Sequence, residues 1–263
     1  MLDFTLKAYK QYLLAIKNKN IPFLLFRDFL AMQEKPLQFC LIRHDIDRKP
    51  KNALKMALLE NKIGVKATYY FRTKSHTFKP EIIKKIESLG HEIGYHYESL
   101  SDTNGNIDLA IKDFTANLTK LRKVANIQTC AMHGQPLKKY DNRDIWKIKE
   151  NENILKKELN IVGEVYLDID YSNIAYINDT GRNWQSTKNN IRDKVNSKIN
   201  TDFKNKEELL IFVKSKNNLK MIFQIHPERW ADNYFNYFFI LLWDTFINFI
   251  KLVLRIFRKL KLL

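Results

Sequence analysis

Four short clusters of histidine and acidic side chains stand out in the sequence, and each lies at or near the end of an apolar run. They are Arg43-His44-Asp45-Ile46-Asp47, Gly90-His91-Glu92-Ile93-Gly94-Tyr95-His96-Tyr97-Glu98, Met132-His133-Gly134 and His226-Pro227-Glu228-Arg229-Trp230. Histidine and carboxylate groups bind divalent metals and transfer protons near neutral pH. The clusters therefore predict an enzyme with a metal-dependent active site.

Alternating strands and helices are predicted to position these clusters. The hydrophobic pattern predicts strands at 38–43, 66–72, 91–97, 128–132 and 219–225, with partial strand alternation in 161–177. It predicts helices at 3–19, 51–62, 80–89, 107–124, 144–158 and 206–214. Such alternation indicates βα units and a mainly parallel sheet. Because the carboxyl ends of the strands meet at one mouth of a barrel, we expect the four clusters to converge there.

The composition is that of one large globular domain, with 263 residues, 45% hydrophobic and 28% charged. Cys40 and Cys130 lie in apolar runs without zinc-site spacing, so we expect buried free thiols, with one disulfide as the alternative. The net charge of +16 allows nucleic-acid binding, but the basic residues are dispersed and form no known motif. We expect a solvated lysine-rich surface and no nucleic-acid partner.

The N-terminus shows no secretory signal, which predicts a cytoplasmic location.

In their order, the four clusters resemble the motifs of the polysaccharide deacetylase (NodB-homology, carbohydrate esterase 4-like) superfamily, and more narrowly of its WbmS-like branch. The likeness covers about residues 38–230. It implies an α/β fold, a distorted (β/α) barrel of the NodB-homology type, in a domain spanning 1–230. It also implies one divalent metal, with zinc the expected ion, and removal of an N-acetyl group from a sugar in bacterial surface-polysaccharide biosynthesis.

The first motif of that family supplies a catalytic base and a metal ligand. The resemblance implies Asp45 as the base and Asp47 as the ligand. The reverse assignment stays open, and His44 is a further candidate ligand. A simple alternative is that one of the two aspartates caps the following helix.

The second motif of the family has two metal-binding histidines four residues apart. His96 matches the first, but the second position is Leu100, which cannot bind a metal. We prefer His133 as the missing ligand, because it ends a neighbouring strand. Glu98 is an alternative, since it projects from the same strand face as His96. His91 lies at the far end of its strand, which favours a structural role.

The third motif of the family contains an arginine that holds the catalytic acid. The corresponding segment here, Met132-His133-Gly134-Gln135-Pro136, contains none. Arg43 and Arg182 are the candidates for that role, and the sequence does not distinguish them.

The remaining motifs complete the predicted site. Asp179 could orient a histidine, although a plain turn over 178–181 explains the same residues. His226 follows an apolar strand, and its family counterpart is the catalytic acid that protonates the leaving amine. The predicted substrate contacts, with Trp184 as a wall of the acyl pocket, are Trp184, Trp230 and Arg182.

The C-terminal segment 231–263 is predicted to form an amphipathic helix. Residues 234–261 mix aromatic, leucine and basic side chains, and Asp244 and Asn248 interrupt the apolar run. A helix in the membrane interface is favoured over a helix packed on the barrel or one that spans the bilayer. Such a helix on the inner face of the plasma membrane would suit a lipid- or nucleotide-linked N-acetylated saccharide as substrate.

Other functions fit parts of the same pattern. A metal-dependent hydrolase of this fold could cut a non-sugar amide. Because two family positions are replaced, a degenerate barrel that binds glycan without turnover is another alternative, and a basic membrane-surface scaffold is a third.

Overall fold

The strands form one parallel sheet in the computed structural model, which describes residues 2–135, 138–184 and 193–259, with only the backbone for 247–259. They are β1 Phe23–Leu24, β2 Phe39–Ile46, β3 Thr68–Phe71, β4 Glu92–Tyr97, β5 Ile127–Met132, β6 Gly163–Glu164, β7 Ala175–Asn178 and β8 Lys220–Ile225. Their order is β6-β5-β4-β3-β2-β8-β7, and β1 pairs with β2. Every pairing among these strands is parallel, as the alternating pattern predicts.

Helices connect the strands and cover the sheet. They are α1 Leu6–Lys17, α2 Phe26–Ala31, α3 Pro50–Ile63, α4 Pro80–Ser88, α5 Ser99–Asp102, α6 Ile107–Arg122, α7 Lys149–Asn153, α8 Lys206–Ser215 and α9 Tyr234–Lys259. Proline suits the start of α3, and Gly64 ends this helix in a left-handed conformation with φ +77°. No helix within the described residues is long and apolar enough to cross a membrane.

The sheet curls so that its two edges approach each other across a polar interior. The Arg43 guanidinium on β2 lies 4.4 Å from the ring centroid of Tyr166, which follows edge strand β6. Tyr176 lies on the opposite edge strand β7 and donates a hydrogen bond to Gln224. Its hydroxyl is also hydrogen-bonded to the side chain of Tyr166, which joins the two edges. The architecture is a curled half-barrel, which confirms the predicted α/β fold class and agrees with the NodB-type barrel.

Strand β2 is longer than predicted, and this decides which way its polar residues face. It continues to Ile46, so the first cluster lies largely within the strand. Side chains alternate between the two faces of a strand. Arg43 and Asp45 therefore share the concave interior, whereas His44 faces α3 and bonds to Glu60.

Several elements differ from the sequence prediction. The predicted helix at 144–158 is divided into a 3₁₀ turn Asn142–Trp146, α7 and a π-helical turn Ile154–Glu158. Its polar sequence offers no continuous apolar stripe to bury. The short elements β1, α2 and α5 have too few residues for a detectable period. Cys40 and Cys130 are buried free thiols, as predicted.

Candidate metal and proton-transfer site

Asp47, His96 and His133 bring three metal-binding atoms together at the carboxyl ends of β2, β4 and β5. Oδ1 of Asp47 lies 3.4 Å from Nε2 of His96 and 3.4 Å from Nε2 of His133. The two imidazole rings cross at 74°, with their centroids 5.1 Å apart. One ligand atom from each residue lies within 4.8 Å of the other two. The structure thus brings together the three residues that the sequence predicts as ligands.

Hydrogen bonds at Nδ1 orient both histidines of this group. The His96 Nδ1–H donates to the carbonyl oxygen of Ala131 at 2.9 Å. The His133 Nδ1–H donates to Oε2 of Glu98 at 2.7 Å. With the proton on Nδ1, the Nε2 lone pair of each ring is free to bind a cation. A partner of this kind on the second ring nitrogen is the usual support for a metal-binding histidine.

The donor set fits a small divalent cation such as zinc. Two ligand atoms that each lie about 2.1 Å from a tetrahedral zinc ion are about 3.4 Å from each other. The distance from the Asp47 oxygen to each of the two imidazole nitrogens is the same. Oδ1 of Asp47 is buried and has no hydrogen-bond partner among the described residues. Burial raises the pKa of Asp47, but His133 and His96 outweigh this, so its pKa lies well below the usual value. An ionised carboxylate between two imidazole nitrogens is a suitable site for such an ion.

Glu98 lies behind His133 and holds it in place. Arg72 donates to both oxygens of Glu98, with its Nη2 2.7 and 2.9 Å away, and Gln135 Nε2 donates at 2.5 Å. Lys74 Nζ lies 3.1 Å from the same carboxylate. Burial raises the pKa of Glu98, but His133 and Arg72 bring it far below the usual range. These contacts place Glu98 behind His133 as the residue that orients its ring.

Asp45 is held in the concave interior by Arg43 and Gln224. Arg43 donates to both of its oxygens, from Nε at 2.7 Å and Nη2 at 2.8 Å, and Gln224 Nε2 donates at 2.7 Å. Oδ2 of Asp45 lies 3.7 Å from Nε2 of His96, beside the three-residue group. Burial raises the pKa of Asp45, but Arg43, His96 and His226 together bring it below its usual value. Arg43, one of the two candidate arginines, is thus bound to Asp45, which the sequence predicts as the base.

His226 and Asp179 form a second hydrogen-bonded pair in the interior. The Asp179 carboxylate accepts the His226 Nδ1–H at 2.6 Å and the His226 backbone N–H at 3.0 Å. Burial and Arg229 lower the pKa of His226, but Asp179 raises it, and the pKa is about 9. Asp179 also begins a turn, because its carbonyl oxygen accepts the backbone N–H of Arg182 at 2.9 Å. The two predicted roles of this segment, a turn and a histidine partner, coexist.

Trp184 and Trp230 are not positioned as the predicted substrate contacts. Both are only 2% exposed. Trp184 stacks on Phe4 with centroids 5.0 Å apart, and its indole N–H donates to Asp3 at 2.6 Å. The Trp230 indole N–H donates to Oδ2 of Asp179 at 2.8 Å. Packing beneath α1 removes both rings from the interior, so the substrate-contact prediction for them is corrected.

Arg182 also differs from its predicted role. Its Nη1 donates to the carbonyl oxygen of Arg229 at 3.2 Å and lies 3.8 Å from Oδ2 of Asp244. The guanidinium lies 4.4 Å from the ring centroid of Tyr237. These contacts direct the side chain towards α9, so the prediction that Arg182 binds substrate is corrected.

His44 and His91 lie on the opposite face of the sheet from the metal group. His44 Nε2 is 2.6 Å from Oε1 of Glu60. The His91 Nε2–H donates to the carbonyl of Ala57, and its Nδ1 accepts the backbone N–H of Ala67. Burial lowers the pKa of His91, which favours the neutral ring. Neither histidine can reach the Asp47 group from this face.

Three site residues were missed at the sequence level. Arg72 directly follows strand β3, so the strand-end rule applied to the histidines would have found it. Gln224 is a polar residue inside an apolar strand, which is itself a signal of an interior partner. The ring of His76 donates to the backbone carbonyl of Asp47 at 3.2 Å, and no sequence signal indicates this contact.

Two solved structures resemble the chain at a distance. One is IcaB from Ammonifex degensii, with 16% sequence identity and a TM-score of 0.41, covering 54% of this chain and 71% of that chain. The other is the Xyl-CE4 domain of a multidomain xylanase from the hindgut metagenome of Trinervitermes trinervoides, with 14% identity and a TM-score of 0.37, covering 84% of this chain and 89% of that chain. No protein-family model and no curated protein matches the chain.

Proposed function

We propose that this protein is a metal-dependent carbohydrate N-deacetylase that hydrolyses the acetamide of an N-acetylated sugar. One observation carries the proposal. The Asp47, His96 and His133 ligand group lies beside the buried carboxylate of Asp45, in the same polar interior as the His226–Asp179 pair. A cation site, a base and an acid are the groups that amide hydrolysis requires.

Asp47, His96 and His133 would hold the cation, and two nitrogens with one carboxylate oxygen favour zinc. When bound, a divalent ion polarises a carbonyl group and lowers the pKa of water near it. Asp45 accepts the proton of the attacking water, and Arg43 keeps this carboxylate ionised and in position.

His226 donates a proton to the leaving nitrogen. Its Nδ1 is bonded to Asp179, so Nε2 is the atom from which the proton leaves. The amide C–N bond breaks as the new C–O bond forms, which yields acetate and a free amino sugar. A positioned general acid of this kind typically contributes about 10²–10⁴-fold to the rate.

The direct test is acetate release from nucleotide- and lipid-linked N-acetyl sugars by the zinc-loaded protein. We expect Asp45→Asn and His226→Ala to lose nearly all activity, while the exposed control Asp108→Asn keeps it. Wild-type activity in either of the first two variants would overturn the assigned roles.

Two other functions give different results in the same experiment. A non-sugar amide hydrolase would bind zinc and cleave model acetanilides, but would release no acetate from any sugar. A degenerate glycan-binding barrel would bind sugar with no turnover of either substrate class. Catalysis is favoured over the degenerate barrel because Asp45 and His226 each have the buried partner that a catalytic role requires.

We further propose that α9 holds the enzyme on the inner face of the plasma membrane, close to a saccharide of surface-polysaccharide biosynthesis. Large apolar side chains of α9 are exposed, with Phe235 at 73% and Trp243 at 53%. The sequence adds basic residues at 251, 255, 258, 259 and 261, the last of which lies outside the described residues. Aromatic and basic side chains together suit an anionic lipid surface.

Vesicle co-sedimentation tests the membrane proposal. We expect the full-length protein to bind phosphatidylserine vesicles, and the double variant Phe238→Ser with Trp243→Ser to lose this binding. The control double variant, Leu37→Ser with Ile211→Ser, removes even more exposed apolar residues elsewhere and should still bind. Equal binding by both double variants would contradict a specific role for α9.

A further inference from the structure

The turn that follows β7 connects the partner of the proposed acid to the C-terminal helix. Asp179 begins this turn, and Arg182 closes it with a backbone hydrogen bond of 2.9 Å. Gly181 and Arg182 are both left-handed, with φ +77° and +57°. A left-handed conformation is unfavourable for an arginine, so contacts outside the turn must stabilise it.

The Arg182 side chain supplies those contacts. Nη1 of Arg182 donates to the carbonyl oxygen of Arg229 at 3.2 Å. The guanidinium of Arg229 in turn donates to the carbonyl oxygen of Asp179 at 2.7 Å. The Asp179 carbonyl therefore accepts two hydrogen bonds, one from the backbone N–H of Arg182 and one from the guanidinium of Arg229. The position of Asp179 depends on both.

On its other side, Arg182 contacts the inward face of α9. Tyr237, Ile240 and Asp244 recur at helical spacing and are the less exposed residues of the helix where its side chains are described. Asp244 is the one charged residue between 234 and 246, and it is only 8% exposed. Its Oδ2 lies 3.8 Å from Arg182. A buried acid on an otherwise apolar helix needs a cationic partner, and Arg182 supplies positive charge there together with the nearby Arg229.

We propose that Arg182 is a positioning residue through which α9 holds Asp179, and with it the imidazole of His226, in place. The inference rests on the proposed function for the role of His226, but the physical link can be measured without turnover. It makes α9 part of the active-site scaffold as well as a candidate membrane contact.

The Trp230 indole N–H is a direct reporter, because it donates to the Asp179 carboxylate at 2.8 Å. Its hydrogen exchange can be followed by ¹⁵N NMR in the full-length protein. The Trp146 indole N–H, which donates to Tyr97 at 3.0 Å, is the internal reference. We expect Asp244→Asn and Arg182→Gln to shift Asp179 and speed exchange at Trp230 about tenfold, the order expected when the hydrogen bond from Trp230 to the Asp179 carboxylate is lost. Exchange at Trp146 should stay unchanged.

Two further variants sharpen the test. Arg182→Lys should restore part of the protection at Trp230, because it keeps the charge that Asp244 requires. Thr245→Ala, next to Asp244 on the exposed side of α9, should leave Trp230 as in the wild type. Unchanged exchange at Trp230 in both Asp244→Asn and Arg182→Gln would overturn the proposal, as would equal acceleration at Trp146.

A second measurement separates this proposal from the proposed function. Where acetate release is detected, Arg182→Gln should move the basic limb of the pH profile of kcat/KM to lower pH, a change that a general loss of stability would not produce. A wild-type protein without any deacetylase activity would contradict the proposed function and leave the exchange comparison intact.

Discussion

Nδ1 of His226 lies 2.6 Å from Oδ1 of Asp179, and the second oxygen of the same carboxylate accepts the His226 backbone N–H. Side chain and backbone of one histidine are thus held by one buried aspartate. The ring has little freedom to turn, and Nε2 is the atom left for proton transfer. In the proposed mechanism, this pair determines where the leaving nitrogen lies.

The rate should depend on pH through His226. Its pKa of about 9 lies above the ordinary value near 6.5, so the acid form is present at neutral pH and is lost as the pH rises through about 9. We expect kcat/KM to fall along that basic limb. Asp179→Asn removes the group that raises the pKa, so its limb should move to lower pH. An unmoved limb in this variant would contradict the role of Asp179.

Glu98 should affect zinc affinity without being a ligand. Glu98→Gln weakens the hydrogen bond that orients His133, and the loss of such a partner typically costs about 10–100-fold in metal affinity. Competition with a chromophoric chelator measures this change. The exposed control Glu81→Gln should bind zinc as the wild type does. Complete loss of zinc in Glu98→Gln would make Glu98 a ligand.

Loss of Arg43 should destabilise the fold. Arg43→Met leaves the Asp45 carboxylate buried at 2% exposure with its charge partner removed, which typically costs about 3–5 kcal/mol. Urea unfolding gives the change in the free energy of unfolding. The exposed control, Lys147→Met, breaks a surface ion pair with Asp144 and should cost about 0–1 kcal/mol.

Adding Asp45→Asn to Arg43→Met should recover part of the lost stability, because the unpaired charge is then gone. A loss of stability in the double variant equal to the sum of the two single losses would contradict this explanation.

His44 should matter for stability and not for metal binding. It bonds to Glu60, which also accepts hydrogen bonds from the hydroxyls of Tyr9 and Tyr69 at 2.5 and 2.6 Å. His44→Phe should lower the free energy of unfolding by about 1–3 kcal/mol, because it removes a hydrogen-bond partner of a buried carboxylate. Zinc content should stay at one ion, whereas His96→Phe should bind none. Loss of zinc in His44→Phe would place His44 at the metal.

The sequence predicts reliably which residues lie close together at the site. It predicts less reliably which residues line the interior where a substrate would bind. The carboxyl ends of parallel strands share one edge, so the order of motifs is sufficient to bring Asp47, His96 and His133 together. Leu100, where the resemblance predicts a second histidine, is buried in α5. His133, at the end of the neighbouring strand, lies beside Asp47 and His96 as expected.

Trp184, Trp230 and Arg182 could not be placed from local pattern. Their surroundings come from α1 and α9, which are distant in sequence or packed by tertiary contacts, and no local period records those contacts. The same holds for the contact between Arg43 and Asp45. It depends on the strand extending to Ile46, a boundary that the apolar pattern does not define.

A crystal structure of the zinc-loaded protein with anomalous diffraction at the zinc edge tests the central claim most directly. We predict one ion, about 2.0–2.2 Å from Oδ1 of Asp47 and from Nε2 of His96 and His133. An ion bound by Glu98 or His44 instead, or no ion at this site in zinc-saturated crystals, would contradict the account.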